Sequence, residues 1–106
     1  MAEIGHFALK LVPPRPSFAS DMTDAERAIM TQHVTYWRRL LDQGVAVVFG
    51  PIIDPSGPYG LGIIEAASLE EVHRMEAEDP AIATGLCAYQ VFAMPGAVVR
   101  GDGGAI

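Results

Sequence analysis

Residues Thr23 to Gly44, TDAERAIMTQHVTYWRRLLDQG, decide how the rest of the chain is read. Ile29, Tyr36, Trp37, Leu40 and Leu41 recur at the i, i+4, i+7 spacing of one helical face, and His33 falls inside that stripe. Thr23 with Glu26 forms a capping box, Asp24 and Glu26 suit the positive end of the helix dipole, and Gly44 marks the far end. An imidazole on a core-facing stripe must find a hydrogen-bond partner or bear a desolvation cost, so His33 calls for a polar neighbour from elsewhere in the chain.

On either side of this helix the pattern changes to a period of two. Ile4, His6, Ala8 and Lys10 alternate with Gly5, Phe7, Leu9 and Leu11, which predicts a first strand that stops at Pro13–Pro14. Pro13 to Met22 holds three prolines and two serines and reads as an irregular surface loop, with the makings of a lid. Val45 to Phe49 is wholly apolar and predicts a strand buried on both faces, ended by Gly50–Pro51. Asp54 to Pro58 supply turn chemistry before a third strand over Leu61 to Ala66. Ser68 and Glu71 suggest a second capping box, and Leu69, Val72 and Met75 give a short second helix a narrow apolar side ending near Asp79–Pro80. After a turn at Gly85, Leu86 to Met94 alternates as a last strand until Pro95–Gly96.

The order strand, helix, strand, strand, helix, strand predicts an α+β fold, the ferredoxin-like βαββαβ arrangement: a four-stranded antiparallel sheet with two helices on one face. Several strands are apolar on both sides, yet two helices cover only one face. A second copy of the chain is the simplest cover, giving a homodimer through the open sheet face, a dimeric α+β barrel. At 106 residues the chain reads as one domain, with a core over about residues 3–95 and a loosely ordered tail over 96–106.

Composition narrows the partners. A net charge of −6 with no basic cluster beyond Arg38–Arg39 argues against nucleic acid. No stretch approaches the roughly 20 apolar residues of a membrane span, and Glu3, His6 and Lys10 interrupt what a signal peptide would keep apolar. Cys87 is the only cysteine, so no internal disulfide forms and a cytoplasmic location fits. The three histidines are far apart and none belongs to a metal-binding unit, so no metal is expected; no glycine-rich loop opens a helix after a strand, so no nucleotide cofactor is expected.

Taken together, His33-Val34-Thr35-Tyr36-Trp37 with Leu40 and Gly44, the Gly50-Pro51 turn, Gly60-Leu61-Gly62, Ser68-Leu69-Glu70-Glu71, and Asp79-Pro80 followed by Gly85-Leu86 resemble the YciI-like family of the dimeric α+β barrel superfamily. The resemblance spans Phe7 to Phe92. It implies a ferredoxin-like dimer whose active-site histidine and aspartate are His33 and Asp79. The chain departs from the pattern in Ala81, where an aromatic residue is usual after Asp-Pro, and in the proline-rich entry to the first helix.

With the two helices as antiparallel neighbours, Asp79 at the end of the second lies beside the first half of the long helix, within reach of His33. A carboxylate at a helix C-terminus opposes the dipole by about 0.3–1 kcal/mol, so another interaction should hold it there. An aspartate bonded to one imidazole nitrogen orients the ring and leaves the other nitrogen to exchange a proton with a bound molecule. The reaction classes open to such a pair without a cofactor are proton transfer, isomerisation and elimination on a small organic molecule, the work of an isomerase or lyase. Asp54, Tyr36, Trp37 and His6 are further candidates for substrate binding, although Asp54 belongs to a turn sequence and Trp37 suits a core. His73, among Glu70, Glu71 and Glu76, reads as a solvated residue with local ion pairs. The competing reading is a non-catalytic dimeric module for a small ligand or protein, in which the His–Asp pair is structural.

Overall fold

Alternation along the first strand sets the architecture, because Leu9 and Leu11 are almost fully buried while their neighbours are less so. In the computed structural model, which describes residues 5–101, that strand is β1 (Gly5–Val12). It pairs antiparallel with β3 (Tyr59–Ala66) on one side and β4 (Ala88–Ala93) on the other, and β2 (Ala46–Ile52) completes the order β2-β3-β1-β4. This is the four-stranded ferredoxin-like sheet that the element order predicts. The first residues of the expected strand, up to Ile4, and the tail beyond residue 101 lie outside the described residues.

The register defines two faces. Phe49, Gly62, Leu9 and Val91 form one row across the sheet, and Tyr36, Trp37, Leu40 and Val72 pack on that side. Val48, Ile63, Ala8 and Phe92 form a row on the opposite face, where Val48 is 56% and Phe92 53% exposed. Among the described residues no helix covers this second face.

The long helix α2 (Asp24–Asp42) forms with both halves of its capping box, Glu26 N–H donating to Thr23 Oγ1 and Thr23 N–H donating to Glu26. Gly44 takes the left-handed conformation that ends it, at φ +75°. The shorter α3 (Leu69–Glu78) starts at Ser68, whose hydroxyl accepts from Glu71 N–H; the return bond of a full capping box is not made.

Four expectations need correction. Pro13 to Met22 is not wholly irregular, since α1 (Phe18–Asp21) forms a single turn whose Phe18 is buried. Gly50–Pro51 does not end the second strand: β2 runs on to Ile52, tolerated because an edge strand can spare the N–H that proline lacks. Val48 lies on the sheet face opposite the helices and is 56% exposed, so within the single chain that strand is covered on one face only. Leu41 and Leu69, expected in the apolar stripes, are exposed at 39% and 51%, because each lies beyond the width of the sheet-facing contact.

The second helical segment is also divided. Asp79 ends α3 and at once caps α4 (Pro80–Ala83), with its carboxylate accepting from Ala81 N–H and Pro80 in the first turn. The carboxylate therefore opposes one helix terminus and suits the next, which removes the simple dipole penalty expected from sequence.

Candidate active site: a buried carboxylate beneath a histidine-lined cleft

α4 packs against α2, and the contact brings Asp79 to His33 across 46 residues of sequence. His33 Nδ1 lies 3.0 Å and 2.8 Å from the two carboxylate oxygens. Asp79 is completely buried, and a buried charge must be matched by donors. Here Ala81 N–H donates at 2.9 Å, the Trp37 indole N–H at 3.3 Å and the Tyr89 hydroxyl at 2.5 Å, alongside His33. Trp37 also donates to the Tyr89 oxygen at 2.8 Å, so the three aromatic groups and the carboxylate form one closed network.

The electrostatics follow from these donors. Burial works against ionisation of Asp79, but the hydrogen bonds from His33 and Tyr89 outweigh it and hold the carboxyl below its usual range. Tyr89 is pushed strongly upward by burial and by the Asp79 charge, which keeps its hydroxyl protonated as a donor. An ionised Asp79 only accepts, so Nδ1 of His33 carries a proton and donates it, and Nε2 is the ring nitrogen left for other partners. That nitrogen has no protein hydrogen-bond partner among the described residues and is not sealed from solvent.

His33 lines a cleft of about 330 Å³ between the sheet and the N-terminal half of α2. Trp37 and Phe49, their rings tilted by 35° with centroids 5.8 Å apart, make its floor, and Phe18 and Met22 its outer wall. Among the described residues no Lys, Arg, Asp or Glu side chain lines it. Cys87 does, with its thiol pushed up to about 11 by burial and by the Asp79 charge, so near neutrality it is a thiol and a weak nucleophile.

Of the candidates read from sequence, His33, Asp79 and Trp37 come together here and the others do not. Tyr36 turns to α3, donating to the Met75 carbonyl at 2.8 Å, and burial with the charges of Glu78 and Asp79 raises it to about 12. Asp54 is folded onto its own turn, accepting from the Ser56 N–H and hydroxyl. His6 lies on the open sheet face; its Nε2 is 3.3 Å from Glu65 Oε1 but off-line for a hydrogen bond, and is otherwise buried without a partner. His73 is exposed and pairs with Glu76 at 3.0 Å. Tyr89 was not singled out by sequence reasoning, although a phenol on the core face of a strand must find a partner. Among the described residues no cluster of three His, Cys, Asp or Glu side chains forms a metal-ligand set, and no helix is long and apolar enough to cross a membrane.

Comparison with known proteins gives the same frame. Residues 7–95 match the YCII-related domain. Among solved structures, the 5-chloro-2-hydroxyhydroquinone dehydrochlorinase of Burkholderia phenoliruptrix, in complex with 2,5-dihydroxybenzoquinone, is similar at a TM-score of 0.59 and 23% identity. The likeness covers 81% of this chain and 90% of that one and concerns the fold. No curated protein matches the chain.

Proposed function

This chain belongs to the YCII-related domain family, and from that premise we propose that it is a small-molecule enzyme with His33 as general acid and base and Asp79 as its orienting carboxylate. The observation that carries the reading is the division of labour on one ring: Nδ1 is held by a fully buried carboxylate, while His33 borders an apolar cleft with Nε2 unpartnered. Nε2 takes a proton from an acidic C–H or O–H of the substrate, and the imidazolium formed is stabilised by Asp79. Returning that proton to a different atom isomerises the substrate; loss of a leaving group from the carbanion completes an elimination. Neither outcome calls on a cofactor.

The ligand is a small organic molecule with an apolar, ring-sized body. Supporting this are the aromatic Trp37–Phe49 floor, the volume of the cleft and the ring compounds named for the structural neighbour. A homodimer through the open face is supported by the uncovered row Val48, Ile63, Ala8 and Phe92. A lone, partly buried thiol suits a reducing compartment such as the cytoplasm.

The test is proton transfer itself. Hydroxyquinones and enolisable ring ketones are incubated with the protein in D2O, and loss of the acidic C–H signal is followed by proton NMR. Catalysed exchange that disappears in His33→Asn at an unchanged melting temperature supports the reading. The second reading, a ligand-binding module with a structural pair, is favoured by the several donors that Asp79 requires simply to be buried. It prevails if His33→Asn chiefly lowers the melting temperature and the wild type catalyses no exchange.

A further inference from the structure

Arg15 is the most heavily bonded cation outside the His33–Asp79 network. Its Nε donates to Asp21 at 2.8 Å, Nη1 and Nη2 fork onto Glu26 at 2.9 Å and 2.7 Å, and Nη2 also reaches the Asp21 carbonyl at 3.0 Å. Glu26 is the residue that closes the capping box of α2, so one carboxylate ties the proline-rich segment to the start of the long helix. Arg15 also lies 5.3 Å over the ring of Phe18. Phe18 is only 5% exposed, although it belongs to a single helical turn.

We propose that Arg15 is a positioning residue that fixes the outer wall of the cleft, and through Phe18 and Met22 sets the size of molecule admitted. A guanidinium is suited to this task because its planar fork fixes direction as well as charge. The segment has no strand or long helix of its own; besides the Arg15 bonds and the burial of Phe18, Ser17 Oγ donates to Asp21 at 2.7 Å and Arg27 Nη2 to the Met22 carbonyl at 3.4 Å. With Arg15 removed, Phe18 loses the cation over its ring and the turn loses its forked clamp on Glu26, leaving Arg27 on the Met22 carbonyl as the remaining side-chain bond to α2. The wall then opens on a timescale that lets larger molecules past. The inference concerns access to the cleft and stands whether or not His33 turns over a substrate.

Cys87 supplies a reporter, because it lines the same cleft. Alkylation of the intact protein by N-ethylmaleimide and by the bulkier N-(1-pyrenyl)maleimide is measured at one pH, each rate divided by that of glutathione. The wild type is expected to disfavour the pyrenyl reagent by about tenfold or more, and Arg15→Ala to lose most of that discrimination. Phe18→Ala should lose it equally with the clamp intact, and Arg15→Lys should restore only part. Leu40→Ala weakens the core at a residue that does not itself line this cleft and should leave the ratio unchanged, which separates a wall effect from general loosening. The same size discrimination in wild type, Arg15→Ala and Phe18→Ala, or an equal loss in Leu40→Ala, overturns the proposal.

Discussion

Gly62 lies directly beneath the indole of Trp37, so close that a methyl group at that position would overlap the ring. The missing side chain on β3 lets Trp37 lie against the sheet, stack on Phe49 and still direct its N–H to Asp79 and Tyr89. Gly62→Ala is therefore expected to destabilise the protein by about 1–3 kcal/mol, the usual range for overpacking a core. Because the displaced indole is also a donor to Asp79, the substitution should alter Trp37 fluorescence in the folded state. A stability within error of wild type with unchanged fluorescence would refute this account.

Asp79→Asn probes the buried carboxylate. Asn keeps one acceptor oxygen but turns an N–H2 group toward donors that had met the carboxylate, and each buried donor left unmet costs about 1–3 kcal/mol. The pH dependence has a definite sign. Asp79 is held below its usual range in the folded state, so its contribution is complete above the unfolded value near 3.9 and is lost as the pH falls through the lower folded value. Urea denaturation should show a constant gap between wild type and variant from pH 7 to pH 5, closing only below about pH 4. A gap that already closes between pH 7 and pH 5 would contradict the assignment.

The thiol of Cys87 should titrate late. With burial and the Asp79 charge raising it to about 11, alkylation by N-ethylmaleimide should rise about tenfold per pH unit from pH 7.5 to pH 9.5, with no plateau. Asp79→Asn removes the second of these causes and should speed the reaction at fixed pH while the protein remains folded. A plateau near pH 8.5, the behaviour of an unburied thiol, would contradict this environment for Cys87.

Different parts of the molecule were legible in the sequence for different physical reasons. The long helix carries its period, cap and glycine stop locally, so its limits could be read directly, and the alternation of β1 and β4 gave their faces. The four-residue α4 is too short to show a period, and Asp79-Pro80 therefore read as the end of the second helix rather than the cap of a new one. Tyr36 stands three residues from His33 on the same helix, yet a rotation of about 300° over three steps is enough to send it to α3 instead of the cleft. Tyr89 and Gly62 matter through contacts with Trp37, and a single strand's pattern tells which face a residue occupies but not what rests on it.

The open sheet face gives the last prediction. Val48 on β2 and Phe92 on β4 lie at the two ends of one apolar row, each more than half exposed in the single chain. If that row is the centre of a two-fold interface, each residue meets the partner's surface and loses its water, and a charge placed there would be buried without a counter-ion. Phe92→Glu should weaken self-association at least about 30-fold, the effect of losing one anchor worth about 2 kcal/mol. Sedimentation across a concentration series would show a dimer for the wild type and a shift toward monomer for the variant. Glu78→Gln, an exposed change on the helical side, should leave the dimer intact. A wild type that stays monomeric at high micromolar concentration, or a Phe92→Glu dimer as tight as wild type, would rule out this face as the interface.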